Sequence, residues 1–268
     1  YFAKADVRFC NQATPAGGAS FGYSGYPVFN APTEWPRAIE NAGCNVINIG
    51  TNHTNDKGQT LVDATAAAWD KRPDILAVAG ANRNQQEQDA VRYFDQSGKT
   101  FAFVSYTTYT NSPATTPYGI NMYSTALAKR QLEEAKTKAD FIIVSMRWGT
   151  EYSPNINPNQ DQIAQELASY GADVVLGHGP HVLQSVKRVP RPDGSETVVW
   201  YSLGNFLNAQ IEPEALIGGF AVMDINLSDM KVTKLQFMPT YMHYEWTAAE
   251  KAANSLLVRR NFSMYPLD

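Results

Sequence analysis

The sequence has no run of lysine and arginine, and its formal net charge is −4. Proteins that hold nucleic acid without sequence preference need a basic face, so that class is excluded, while a small basic pocket for an anion is not. No apolar stretch approaches the roughly 18–20 residues of a membrane-spanning helix. No signal-peptide pattern is present either. The chain opens at Tyr1, inside what reads as a folded segment, so upstream residues are expected, with room among them for an anchor. Only two cysteines occur, Cys10 and Cys44, without the neighbouring histidines of a zinc site. Buried thiols are the expected state, with a disulfide as the alternative outside the cytoplasm. Ser202 lies in no Gly-x-Ser-x-Gly elbow, which argues against a serine hydrolase of that type. Internal repeats and low-complexity segments are absent.

What is present is a globular composition, 44% hydrophobic and 18% charged over 268 residues, enough to bury a large core. Through the first two thirds, short apolar runs alternate with amphipathic ones. Strands are expected at Asp6 to Cys10, Val46 to Ile49, Ile75 to Ala79, Phe141 to Met146 and Val174 to Leu176. A hairpin is expected around Ser97-Gly98. Helices are expected after Thr33, over Gln59 to Asp70, from Ser124 to about Lys138, and from Asn159 to Gly171. Beyond Val182 the pattern turns β-rich, with runs at Val182 to Val189, Thr197 to Tyr201, Gly219 to Asn226 and Lys231 to Met238. The reading is one α/β domain over 1–268, with sheets inside and helices outside. A core spans 1–240, and a tail, 241–268, packs on it.

Three of the four histidines follow apolar strands, the end of an α/β sheet where ligands bind. Asn52-His53 follows the run at Val46, with Asp56 placed to orient the His53 ring. His178 and His181 flank Gly179-Pro180 on a short, stiff loop. Amide oxygens and imidazoles are ligands for divalent metals, and imidazoles also move protons. Arg147 and Glu151 follow the run at Phe141. The first suits a carboxylate or phosphate, and the second is an acid/base group or the arginine's partner. Asn205 follows the run at Thr197 and can bond substrate or hold the histidine loop. His243, among Tyr241, Tyr244 and Trp246, reads as structural.

In this order the segments resemble the bacterial capsule-synthesis family (CapA/PgsA, poly-γ-glutamate production). The matching pieces include Tyr26-Pro27…Ala31-Pro32, Asn52-His53…Asp56…Gly58, Trp148-Gly149…Glu151-Tyr152, Gly177-His178-Gly179-Pro180-His181 and Ser202-Leu203-Gly204-Asn205-Phe206. The resemblance implies a calcineurin-like metallophosphoesterase α/β/β/α sandwich, whose usual N-terminal strand ending in Gly-Asp is missing here. It implies a site with His53, His178, His181 and Glu151 as catalytic groups. Asn52, His53, His178 and His181 would hold a divalent metal such as Mn, Zn, Mg or Fe. Arg147, Asn11, Asn205 and Trp148 would touch substrate. It implies an anionic cell-surface polymer such as poly-γ-glutamate as partner, membrane capsule-synthesis subunits beside it, and an extracytoplasmic, N-terminally anchored location. Two departures stand out. Asn11-Gln12-Ala13 replaces the family's usual Asn-Leu-Glu, and Arg147-Trp148-Gly149 replaces its usual His-Trp-Gly. A guanidinium cannot ligate a metal. Three readings follow: a metal-dependent hydrolase or transferase, a non-catalytic binder of anionic polymer with a degenerate metal site, and a surface scaffold.

Overall fold

The computed structural model describes residues 2–253 and 258–267. Strands β1 (Phe9–Asn11), β2 (Val46–Asn48) and β3 (Ala77–Ala79) form a small parallel sheet in that order. A second sheet has six strands: β4 (Arg92–Gln96), β5 (Lys99–Thr107), β6 (Phe141–Arg147), β7 (Val174–His178), β9 (Glu196–Leu203) and, at the edge, β8 (Leu183–Pro190). Its centre, β5-β6-β7-β9, is parallel, and β4 and β8 are antiparallel edges. Strands β10 (Ile217–Asn226), β11 (Lys231–Glu245) and β12 (Arg260–Pro266) form a third, antiparallel sheet. Its longest strand runs through residue 240, so 241–245 belong to β11.

Side-chain alternation explains the layering. In β6, Phe141 and Ile143 point to one face and Ile142, Val144 and Met146 to the other. The first set joins Phe101, Phe103, Val174, Leu176, Val198 and Trp200 against Val46, Ala77 and Ala79 of the small sheet, with Met223 and Leu235 of the third sheet alongside. The second set packs on α4 (Thr125–Lys138) and α5 (Pro158–Tyr170) through Ala128, Leu132, Ile163 and Leu167. On the far side of the small sheet, Ile47 and Ile49 pack with Val62 and Trp69 of α2 (Gln59–Trp69). Two sheets face each other between two helical layers, the α/β/β/α sandwich expected of a calcineurin-like metallophosphoesterase fold. Each fully buried aliphatic or aromatic side chain in the double core stabilises it by roughly 1.5–3 kcal/mol.

Local signals set most element ends. The Ser124 side chain accepts from Leu127 N at the start of α4. Helix α5 opens at Pro158, one residue earlier than Asn159, on a capping box between Asn157 and Gln160, and closes on Gly171 at φ 104°. Helix α1 (Trp35–Asn41) has no side-chain cap: Glu34, not Thr33, precedes it, and Pro36 in its first turn has no N–H to satisfy. Gly50 and Gly80 let β2 and β3 leave the sheet side by side, since a Cβ on Gly50 would stand 2.7 Å from the Gly80 Cα.

The cysteines are bonded. Cys10 on β1 and Cys44, just before β2, have Cα atoms 5.9 Å apart and share the helix-facing side of the small sheet. The expectation of two buried thiols gives way to a cross-link because adjacent parallel strands bring together residues 34 apart in sequence. Closing a loop of that length stabilises the fold by about 3–4 kcal/mol in the chain-entropy account. The protein unfolded without reductant should show no reactive thiol, and C10S/C44S should unfold at lower urea by that amount; full thiol reactivity would show the bond is absent.

Candidate functional site

The inward faces of β5, β6 and β7 change character at their C-terminal ends. After Phe101 and Phe103 comes Ser105. After Phe141 and Ile143 come Ser145 and Arg147. After Val174 and Leu176 comes His178. The opposite strand does the same, with Asn48 following Val46. The period of two therefore carries a polar cluster into the mouth between the sheets, roofed by the loops after β1, β2, β5, β6, β7 and β9.

Asn48, fully buried, ties this cluster together. Its Oδ1 accepts from Gly50 N at 2.9 Å and from Ser105 Oγ. Because a backbone N–H only donates, the amide orientation is determined, and Nδ2 faces Asn11 Oδ1 (2.6 Å) and His178 Nε2 (3.2 Å). Ser145 Oγ lies 3.0 Å from the same Nε2. His178 therefore accepts at Nε2 and carries its proton on Nδ1, which is covered and has no partner among the described residues. Burial, then the positive charge of Arg147, pushes the His178 pKa down to about 3, although the ring edge retains some solvent contact.

Arg147 is 2% exposed and sits in register beside His178. Its Nε donates to Asn52 Oδ1 at 3.0 Å, Nη1 to the Trp148 carbonyl at 3.3 Å, and Nη2 to Glu151 Oε1 at 2.9 Å and to the Tyr109 hydroxyl. The Tyr109 ring lies 4.5 Å from the guanidinium carbon. Gly179, at φ 119°, leaves the space Nη1 occupies, since a Cβ there would collide with it. Asn52 passes the polarity on: its Nδ2 donates to Asn111 Oδ1 at 3.2 Å, and Asn111 Nδ2 faces His53 Nε2 at 3.2 Å. His53 Nδ1 donates to Asp56 Oδ2 at 2.7 Å, which also accepts from Phe29 N at 2.8 Å. Asp56 thus orients His53 as expected from their spacing.

His181 adopts φ 64°, a left-handed conformation unusual for a side chain of this size, and stacks at 5.7 Å on Tyr152, itself at φ 61°. Such backbone strain costs about 1–3 kcal/mol and gathers at sites of function. Asn205 Nδ2 donates to the Ala215 carbonyl at 3.0 Å, so its Oδ1 accepts from His181 Nδ1 at 2.9 Å. The His181 Nε2 then looks toward Glu151 Oε1, 3.9 Å away. Burial lowers the His181 pKa against the Asn205 bond, which raises it. Glu151 is 41% exposed and also accepts from the Tyr109 hydroxyl at 2.9 Å.

The structure gathers Asn11, Asn52, His53, Arg147, Glu151, His178, His181 and Asn205 on this rim. Trp148 is the correction. Fully buried, it stacks on Tyr201 at 5.4 Å on the helix-facing side of the sheet, and its Nε1 donates to the Tyr201 carbonyl, so it supports the strands and cannot touch a substrate. His243, between Tyr241 and Tyr265 on the third sheet, is structural in setting. Sequence reasoning missed Asn48, Ser105 and Ser145, whose signal is a polar residue at an inward position of an apolar strand. It missed Tyr109 and Asn111, which lie in a loop with no such signal.

The divalent metal implied by the resemblance requires free lone pairs. One lone pair of Asn52 Oδ1 is bound by Arg147, that of His53 Nε2 by Asn111 and that of His178 Nε2 by Asn48. Among the described residues no three His, Cys, Asp or Glu side chains converge as a metal-holding group. The donor set as arranged does not fit a metal. A hollow of about 510 Å³ between Gln88, Tyr123 and Arg130 lies beside α4, away from the histidines, and has none of this convergent chemistry.

The His178 shift has a stability consequence. Between pH 6.5 and about 3 the unfolded chain takes up the proton that folded His178 refuses, so stability is full above 6.5 and falls as pH drops through that window. Urea midpoints of the wild type should fall more steeply over that range than those of H178Q. Equal slopes, or a His178 imidazole titrating near 6.5 by NMR, would contradict this.

Comparison with known proteins agrees with the geometry. The family model described as bacterial capsule synthesis protein PGA_cap matches residues 1–210. The capsule biosynthesis protein CapA of Bacillus anthracis is 31% identical over 186 residues, 66% of this chain and 43% of that protein. The PGA biosynthesis protein CapA of Bacillus subtilis is 27% identical over 179 residues, 64% and 44% of the respective chains. The chain thus spans less than half the length of these curated relatives. A Staphylococcus aureus protein assigned as a 5'-nucleotidase, solved in complex with alpha-ketoglutarate, shares the fold with a TM-score of 0.52 at 15% identity, over 83% of this chain and 43% of its own. On the family match and the shared sandwich, with the capsule-type histidine loops at its mouth, this chain belongs to the bacterial capsule synthesis family.

Proposed function

We propose that this chain serves the synthesis or export of an anionic capsule polymer, of the poly-γ-glutamate type, by holding the polymer at the histidine rim without metal-driven catalysis. The observation that carries this reading is the permanent positive charge of the Arg147 guanidinium, buried at the floor of the mouth in register with His178. That charge draws carboxylates to the rim from a distance without contact. Glu151 occupies the outer side of Arg147, so its partly exposed carboxylate offsets that charge and repels an incoming carboxylate. His181, Asn205 and Tyr152 gather at the rim, where His181 bonds Asn205 and stacks on Tyr152.

A surface location is part of the proposal. The Cys10–Cys44 bond supports it, because disulfides persist in oxidising compartments. No described helix is long and apolar enough to cross a membrane; tethering through an upstream segment and contact with membrane capsule-synthesis subunits belong to the same reading. The enzymatic alternative, water activated by a metal among Asn52, His53, His178 and His181 with Glu151 as acid or base, draws on the fold it shares with metallophosphoesterases.

Binding of γ-glutamate oligomers measured by calorimetry in EDTA decides between them. E151Q should bind about 2–5-fold tighter than the wild type, since it removes a repelling, partly exposed carboxylate worth up to about 1 kcal/mol. Weaker binding by E151Q, or release of glutamate or phosphate stimulated by Mn²⁺ or Zn²⁺ in the wild type, would replace the binding reading with the catalytic one.

A further inference from the structure

We propose that Arg147 is the resident cation of this site: its guanidinium takes the place of a bound metal and, through Asn52 and Asn111, determines the protonation pattern of His53. This deepens the metal-free reading above and rests on it. The argument starts from direction. An arginine Nε–H only donates, so the Asn52 amide must present Oδ1 to it. Asn52 Nδ2 must then donate to Asn111 Oδ1, which turns Asn111 Nδ2 toward His53 Nε2. At the other end, Phe29 N–H and His53 Nδ1 meet the same Asp56 oxygen, and an ionised carboxylate only accepts. The relay Arg147, Asn52, Asn111, His53, Asp56 runs one way from cation to anion, and it holds His53 as the Nδ1–H tautomer.

The relay's consequence is chemical. It turns one lone pair of Asn52 Oδ1 and the lone pair of His53 Nε2 onto protein hydrogens, and Asn48 does the same at His178 Nε2. Among the described histidines of the rim, His181 alone keeps an Nε2 lone pair facing the mouth, and one imidazole is a poor site for a divalent ion. The charge itself is permanent, because an arginine stays protonated at any working pH. It is also built in: Gly179 and the Tyr109 ring shape its pocket, and Glu151 balances it. The site therefore keeps its positive centre where metal is scarce or chelated. Arg147 and Asn111 act as positioning residues, not as groups that touch the polymer.

The test uses the whole protein. In wild type, ¹⁵N NMR of the His53 ring should show the Nδ1–H tautomer, and dialysis against Mn²⁺ or Zn²⁺ should leave no more metal than in the H53A/H181A variant. N111D, which puts an acceptor opposite Nε2, should move the His53 proton from Nδ1 to Nε2 or protonate the ring. R147H should gain a divalent-ion-dependent rise in melting temperature that the wild type lacks. Stoichiometric metal in wild type, an Nε2–H tautomer there, or an R147H variant that folds yet gains no metal response would overturn the proposal. If R147H does not fold, the wild-type tautomer and metal content still decide. A wild type that shows the predicted tautomer yet fails to bind γ-glutamate oligomers would sink the polymer reading and leave the assignment of Arg147 standing.

Discussion

The hydrogen bond from Arg147 Nε to Asn52 Oδ1 joins the two sheets at the mouth of the sandwich, and the rest of the site follows from it. Arg147 ends β6 of the large sheet, and Asn52 lies just beyond β2 of the small one. An unpaired guanidinium at this depth would cost several kcal/mol. Its acceptors, Asn52, Tyr109, Glu151 and the Trp148 carbonyl, are therefore requirements of folding as well as features of the site. They come from the loops after β2, β5 and β6, so one buried charge disciplines loops that share no sequence neighbourhood.

That constraint also explains why a metallophosphoesterase sandwich can carry a polar mouth with histidines in it and still fit no metal. A metal site needs lone pairs that converge. A buried arginine needs the same lone pairs, and it claims them first because it is covalently present.

Much of this frame was legible in the sequence. The apolar runs at Val46, Phe141 and Val174 are strands, the Ser124 and Gly171 signals end helices, and the layering follows from strand–helix alternation. The gathering of His53, His178, His181, Arg147, Glu151 and Asn205 at strand ends was legible too, since parallel strands put their C-terminal ends on one edge. Trp148 misled because its neighbours in sequence, Arg147 and Gly149, line the mouth. In a strand, adjacent side chains take opposite faces, and Trp148 takes the core.

The sequence by itself determined the fold class and which loops meet, because periodicity and strand ends are local properties of the chain. Only the tertiary structure decided that Cys10 bonds Cys44, that Asn48 is the hub of the buried cluster, and that Arg147 is spent on protein partners. Hydrogen-bond direction and side-chain saturation depend on which atoms from distant segments face each other across the two sheets. No spacing along a single chain encodes that pairing.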